Sequence, residues 1–118
     1  MLRRYWSVYA PPPNELRVPS KRRSFWQSTR QQSAAANALL HWRKHHASLP
    51  EFDNALQYVK AANAFLRHPP DGALFKTRAN GDRLTYDPVR NLLGVVSSQA
   101  LPRTLFRPRG GRVYWNGL

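Results

Sequence analysis

The chain of 118 residues carries 19 Lys and Arg against 6 Asp and Glu, a formal net charge of +13. This length suits a single domain, and the absence of cysteine excludes disulfides and thiolate zinc sites. A charge so far from zero is typical of proteins that bind a polyanion, because each neutralised phosphate releases counterions. We therefore expect a nucleic acid, with RNA first, as the partner, ahead of an anionic membrane surface or a merely soluble basic surface.

The first 32 residues differ from the rest of the chain. They contain three consecutive prolines at 11–13, a basic run at 21–23 and scattered aromatic residues, with no helical or strand period. We predict an extended basic arm or linker over residues 1–32, whose basic run either contacts phosphate or is a solvated charge run. The start of the chain lacks a signal-peptide core, and no apolar run is long enough to span a membrane.

From residue 33 the pattern becomes helical. Ser33 is a good N-cap, and the stretch rich in alanine and leucine after it predicts a helix that ends near His46. A second helix is predicted to begin at about Asp53 as its N-cap, because apolar residues recur at three- and four-residue spacing over 55–66. The prolines at 69–70 end it.

After Gly72 the period changes to that of strands. We predict strands over residues 73–78, 83–87, 92–97 and 103–106, and a short fifth strand over 112–115. The dipeptide Asn80-Gly81 indicates a hairpin turn, since both residues tolerate positive φ. The predicted fold is therefore α+β, with two N-terminal helices packed on one face of a four- to five-stranded antiparallel sheet, in a domain over residues 33–118.

Two histidines of the first predicted helix share one face. His41 and His45 lie four residues apart, and three interpretations compete. One histidine is a general acid or base, for which an ordinary pKa near 6.5 is well suited. Alternatively the pair is half of a metal site, although the sequence offers no cysteine and no glutamate between the two histidines. In the third interpretation, which spacing alone favours, they are polar surface residues.

Basic residues of the strand region are the clearer signal. Lys76 and Arg78 alternate with other residues, so they are predicted to share a face, and Arg103 precedes Thr104. An arginine fork beside a hydroxyl makes a good phosphate clamp, and the alternative is a solvated sheet face. A histidine, one or two arginines and a hydroxyl are sufficient to cleave RNA without a metal. Trp115 is interpreted equally as a base-stacking residue or as ordinary core.

Polar residues near the predicted turns are interpreted as structural. Asp82 follows Gly81 in the hairpin turn, while Asp87 and Asn91 shape the next loop, and Tyr86 is placed with them. Acidic residues are too scarce, and too closely tied to turns, for a mechanism based on paired carboxylates.

An ordered series of motifs over residues 38–118 resembles the nuclease domains of polymorphic toxins. The motifs that carry the resemblance are His41-Trp42-Arg43-Lys44-His45, Lys76-Thr77-Arg78-Ala79-Asn80-Gly81-Asp82, Tyr86-Asp87-Pro88, Gly94-Val95-Val96, Pro102-Arg103-Thr104-Leu105-Phe106-Arg107-Pro108 and Tyr114-Trp115. Such domains form the C-terminal tips of contact-dependent-inhibition toxins and related secreted bacterial proteins. They belong to the barnase/EndoU/colicin/RelE-like fold group, which implies the same arrangement of helices and sheet.

The resemblance implies an activity and a set of site residues. The activity is metal-independent cleavage of tRNA or other cellular RNA through the 2′-hydroxyl, without a cofactor, and the partner is an acidic cognate immunity protein. The implied catalytic residues are His45, Arg78, Arg103, Thr104 and Tyr114. Contacts with RNA are predicted for further basic and aromatic residues, namely His41, Lys44, Lys76, Arg107, Arg112 and Trp115.

Roles follow from the chemistry of these side chains. His45 is predicted to act as general acid or base, Arg78 and Arg103 to hold the phosphate, and Thr104 and Tyr114 to donate hydrogen bonds. We expect a monomer that works in the cytoplasm of the producer or target cell, and that is secreted if it belongs to a larger toxin. Two other functions stay open. They are a non-catalytic RNA- or DNA-binding module, and a degenerate toxin fragment that only binds an immunity protein.

Overall fold

The structure, a computed structural model, describes residues 25–118, so most of the predicted basic arm lies outside the described residues. Two helices precede a four-stranded sheet, which confirms the predicted α+β class. The elements in chain order are α1 (Ala34–His45), α2 (Ala55–Arg67), β1 (Leu74–Thr77), β2 (Arg83–Asp87), β3 (Leu92–Val96), β4 (Pro102–Phe106) and a short helix α3 (Arg112–Asn116).

Both long helices begin at a capping side chain. The Ser33 hydroxyl accepts a hydrogen bond from the Ala36 N–H at 3.1 Å, as predicted, and satisfies one of the unpaired donors of the first turn of α1. The cap of α2 is Asn54, which accepts from the Gln57 N–H at 2.9 Å. The prediction of Asp53 as N-cap is therefore wrong by one residue. The Asp53 N–H instead donates to the Gln57 side chain at 2.8 Å.

The four strands form an antiparallel meander in the order β1-β2-β3-β4. The predicted fifth strand is wrong, because residues 112–115 belong to α3. Gly111 has a positive φ of 57°, and its carbonyl accepts from the Trp115 N–H at 3.2 Å, which closes a helical turn. The helix brings the Trp115 ring onto Tyr86, with ring centroids 5.4 Å apart and nearly parallel planes. Burial of this large ring favours helix over strand.

The sheet buries both of its faces. On one face Leu92, Val96 and Leu105 pack with the apolar side of α2. On the other face a second cluster forms between β2, β3 and Trp115 of α3. Gly94 permits the close approach of α2, because a Cβ there would lie 2.9 Å from a Leu66 methyl group. Such crowding typically costs about 1–3 kcal/mol.

Side chains and the segment before α1 cover the outer edge of β4. The Tyr58 hydroxyl donates to the Leu105 carbonyl at 2.8 Å and accepts from the Leu105 N–H at 3.1 Å. Each such buried backbone group left unpaired would cost about 1–3 kcal/mol. The Gln27 N–H donates to the Pro102 carbonyl at 2.8 Å, and Trp26 is fully buried in the core. Trp26 and Gln27 thus pack against the helices and the sheet, although they precede residue 33, where the sequence predicts the domain to begin.

Candidate active site

A cleft of about 270 Å³ opens on the face of the sheet away from α2. Its floor is apolar and consists of Leu93 and Val95 from β3 and Phe106 from β4. Polar side chains from α1, the β1–β2 turn, β4 and α3 surround this floor, namely His41, Arg78, Arg103, Thr104 and Tyr114. Four of the five residues predicted to be catalytic therefore line one cleft. The fifth, His45, does not line it.

A β-bulge in β4 brings Arg103 and Thr104 to the same cleft. Val95 pairs with Thr104, whereas the next residue, Val96, pairs with Pro102, so Arg103 is an extra residue without a partner in the register. Successive side chains of a regular strand point to opposite faces, and a bulge interrupts that alternation. The guanidinium and the neighbouring hydroxyl can therefore act on one ligand.

A buried carboxylate fixes the position of Arg103. Asp82 Oδ1 accepts a hydrogen bond from Arg103 Nε at 2.9 Å. The Asp82 side chain is 4% exposed, while that of Arg103 is 41% exposed, so the paired arginine side chain stays partly accessible to solvent. A guanidinium has four further N–H donors on its two terminal nitrogens. These donors remain available to a phosphate.

Arg78 lies in the turn that joins β1 to β2. Its backbone N–H donates to the Asp82 carbonyl at 2.8 Å, and its own carbonyl accepts from the Gly81 N–H at 3.0 Å. Gly81 has a φ of 95° and packs against Ser98, which confirms the predicted turn and explains its glycine. Within residues 25–118 no carboxylate pairs with the Arg78 side chain, so its charge faces the cleft uncompensated.

His41 is hydrogen-bonded to Thr104 inside the cleft. The distance between His41 Nδ1 and Thr104 Oγ1 is 3.1 Å. Burial lowers the pKa of His41 below its ordinary value of 6.5, and the charge of Lys44 lowers this pKa further. The imidazole is therefore neutral at pH 7. In the tautomer whose Nδ1 carries the ring proton and donates it to Thr104 Oγ1, Nε2 is unprotonated and can accept a proton.

His45 lies behind His41, one helical turn later. Its ring stacks between His41, at a centroid distance of 5.9 Å, and Phe106, at 5.3 Å. Burial, followed by the charges of His41 and Lys44, lowers the pKa of His45 to about 4. The sequence predicts catalysis by His45 and RNA contact by His41, whereas the structure places His41 and not His45 in the lining of the cleft. Their spacing alone cannot distinguish them, because both lie on one helix face.

The lowered pKa values of the two histidines make folding stability depend on pH. An unfolded histidine takes up a proton near pH 6.5, whereas folded His45 does so only near pH 4. The unfolded state binds more protons between these values, so we expect the free energy of unfolding to fall as the pH drops from 6.5 to 4. Urea unfolding at about pH 7 and about pH 5 measures this loss. The loss should be smaller in His45→Gln, and an equal loss in both proteins would contradict the expectation.

An aromatic wall stands beside the cations of the cleft. The rings of Phe106 and Tyr114 meet edge to face, with centroids 6.0 Å apart and an interplanar angle of 86°. Tyr114 is exposed, and its side chain lines the cleft. The cleft thus combines a cationic part with an aromatic part, as a nucleotide combines a charged phosphate with the flat apolar faces of its base.

Two of the predicted RNA contacts are engaged within the protein. Lys76 Nζ donates to the carbonyls of Trp115 at 2.6 Å and Leu118 at 3.1 Å, and lies 4.7 Å from the centre of the Trp115 ring. Lys76 therefore anchors α3 to the sheet. Trp115 is only 4% exposed and stacks on Tyr86, which agrees with the core alternative and leaves no ring face for a base.

Three further predicted RNA contacts, Arg107, Lys44 and Arg112, also lie outside the cleft, whereas His41 lines it. Arg107 forms a two-pronged ion pair with Glu51, at 2.9 and 2.8 Å, and donates to the Ser48 carbonyl at 2.8 Å. This hydrogen bonding lowers the pKa of Glu51 and raises that of Arg107. Arg107 thus ties the end of β4 to the connection between α1 and α2. Lys44 and Arg112 are exposed on helix surfaces, where they are accessible to a polyanion.

Asp82 is among the residues of the site that sequence reasoning missed. Asp82 was interpreted only as part of a turn, although its carboxylate also holds Arg103. A signal was present in the composition, since residues 71–118 contain three acidic residues against eight Lys and Arg. A carboxylate in such surroundings pairs readily with an arginine.

Residues 25–118 contain no cluster of three or more His, Cys, Asp or Glu side chains suited to a metal ion, so His41 and His45 lack a third protein ligand there. No helix in the same range is both long and apolar enough to cross a membrane. Comparison of the sequence with protein-family models and with curated proteins yields no match.

Proposed function

We propose that this protein is an endoribonuclease that cleaves RNA without a metal ion, through the cleft between α1, β4 and α3. One observation carries the proposal: His41, hydrogen-bonded to Thr104, lines the same cleft as Arg78 and Arg103. The net charge of +13 supports a polyanionic substrate. The aromatic wall of Phe106 and Tyr114 supports a substrate with bases.

The proposed reaction is an internal transesterification. The 2′-oxygen of a ribose attacks the adjacent phosphorus, and the bond between that phosphorus and the 5′-oxygen of the next nucleotide breaks. His41 Nε2 accepts the proton of the 2′-hydroxyl, because its lowered pKa keeps the ring neutral near pH 7. The Tyr114 hydroxyl donates a hydrogen bond to the leaving 5′-oxygen, which takes a proton from water as it departs, and the protonated His41 then returns its proton to water. The products end in a 2′,3′-cyclic phosphate and a 5′-hydroxyl.

The arginines stabilise the charge that develops during this reaction. Negative charge grows on the non-bridging oxygens of the phosphorus as the fifth bond forms, and fixed N–H donors at that point lower the barrier. Arg103 is fixed by its ion pair with Asp82, and Arg78 by the hydrogen bonds of its turn. Two planar forks of this kind suit the geometry of a phosphate.

A toxin role and an acidic partner belong to the same proposal. The target is tRNA or another cellular RNA in the cytoplasm of the producer or target cell, and an acidic immunity protein blocks the cleft. Charge supports this partner, because residues 71–118 carry eight Lys and Arg against three Asp, a net charge of +5. Complementary charge of this kind accelerates association and aligns the two surfaces.

Incubation of the protein with total RNA in EDTA tests the activity. We expect cleavage in EDTA, products with 2′,3′-cyclic phosphate ends by mass spectrometry, and no cleavage where the ribose at the scissile position is 2′-deoxy. Intact RNA at every protein concentration would contradict the proposal. Cleavage only after addition of a divalent metal would support the metal alternative for the histidine pair. Binding with a steep salt dependence but without cleavage would indicate a binding module.

A further inference from the structure

We infer that Asp82 is a positioning residue that fixes the two cleft arginines relative to each other. The inference rests on the proposed function, since it takes Arg78 and Arg103 as the phosphate-binding groups. Asp82 holds Arg103 through its side chain, with Oδ1 2.9 Å from Nε. It holds Arg78 through its main chain, with its carbonyl 2.8 Å from the Arg78 N–H. One residue therefore joins the β1–β2 turn to the bulge of β4.

The contacts of Asp82 exclude a direct part in proton transfer. Its second oxygen, Oδ2, accepts from the Asn80 side-chain amide at 3.2 Å, so both carboxylate oxygens are engaged with protein donors. The Asp82 N–H donates to Asn80 Oδ1 at 2.9 Å, which fixes the backbone as well. The residue is 3% exposed, so a substrate does not reach it. Asp82 can therefore influence substrate binding only indirectly, by holding the side chain of Arg103.

Electrostatics alone and positioning predict opposite results when this carboxylate is neutralised. If only net charge mattered, Asp82→Asn would strengthen RNA binding, because it removes a negative charge from a basic cleft. If Asp82 positions Arg103, the same change weakens binding, because the guanidinium becomes free to rotate and must be ordered by the ligand. The sign of the change therefore separates the two explanations.

Asp87→Asn is the matched control. Asp87 is also 3% exposed and also pairs with an arginine, Arg90, at 2.8 Å. Neither residue of this second pair lines the cleft. The control thus removes the same charge from an equally buried ion pair at another place in the sheet.

A double-mutant cycle read by binding tests the inference. The probe is a short, fluorescently labelled 2′-O-methyl RNA, which cannot be cleaved, and anisotropy gives its Kd. We expect Asp82→Asn to weaken binding about tenfold in the wild-type background and to have no effect beyond about twofold in Arg103→Ala. Asp87→Asn should not weaken binding. Unchanged or tighter binding in Asp82→Asn, or equal losses in both backgrounds, would overturn the inference.

A second measurement uses the wild-type protein, so it tests the inference even if Asp82→Asn does not fold. In the wild-type protein, the Arg103 Nε–H should exchange slowly with water in NMR spectra, whereas the Arg78 Nε–H should exchange fast. Equal exchange rates would overturn the inference. If Asp82→Asn weakens binding only where Arg103 is present but the protein does not cleave RNA, the proposed nuclease activity alone is refuted. If the protein cleaves RNA but the effects of Asp82→Asn and Arg103→Ala on Kd are additive, the positioning role alone is refuted. If the probe does not bind, both fail.

Discussion

Replacing His41 with alanine is expected to lower the rate of RNA cleavage by about 10²–10⁴-fold, the contribution typical of a positioned general base. The substitution removes the imidazole that is hydrogen-bonded to Thr104, and with it the proposed acceptor of the 2′-hydroxyl proton. Binding should change little, because the neutral imidazole contributes no charge to phosphate attraction. Single-turnover cleavage of a short oligonucleotide, with Kd measured on its 2′-O-methyl form, separates the two effects.

Two histidine controls make this prediction specific. His45→Ala should lower the rate much less, because His45 stacks behind His41 and does not line the cleft. His68→Ala should leave the rate unchanged, since His68 is an exposed residue at the end of α2. Because burial lowers the pKa of His41, the acid-side fall of the wild-type rate should be centred below pH 6.5. Equal losses in His41→Ala and His45→Ala would contradict the assignment.

Local signals in the sequence were sufficient for most of the fold. Ser33 predicts the start of α1 because its hydroxyl satisfies a free N–H of the first turn. The dipeptide Asn80-Gly81 predicts the β1–β2 hairpin because the turn requires a positive φ, which Gly81 has. In both places a requirement of the local backbone selects the residue type, so the sequence alone predicts the start of the helix and the position of the turn.

Features that depend on tertiary contacts were not predictable in this way. Residues 112–115 alternate like a strand, but burial of Trp115 on Tyr86 favours a helix. Trp26 lies in a segment without a period, yet it fills the core beside Tyr58. Four residues of alternation and one isolated tryptophan contain too little local information, because long-range packing decides their placement.

The candidate site shows the same division. The chemistry of Arg78, Thr104 and Tyr114 marked them as candidates, and the fold brings them to one cleft. The bulge that turns Arg103 toward this cleft leaves no mark in the hydrophobic pattern, because it adds a single residue to a short strand. Whether His41 or His45 lines the cleft depends on how β4 packs against α1, and the sequence of the helix alone does not predict this packing.

Replacing Arg78 with alanine is the second large effect that we expect, a loss of about 10²–10³-fold in cleavage rate. The Arg78 side chain lines the cleft, and no carboxylate within residues 25–118 pairs with it, so its full charge is available to the transition state. The slope of log Kd against log salt should also decrease by about 0.7, the value for one phosphate contact on a single strand. Binding at several salt concentrations, together with single-turnover rates, measures both.

Arg83→Ala is the matched control, and it separates local chemistry from overall charge. Arg83 is exposed, lies opposite Val96 in the register and therefore faces the helix side of the sheet, away from the cleft. If overall charge alone governed function, both substitutions would weaken binding and cleavage alike. If the cleft is a catalytic site, Arg83→Ala leaves the rate unchanged. Arg78→Lys then keeps the charge and recovers only part of the rate, because an ammonium lacks the planar fork that contacts two phosphate oxygens.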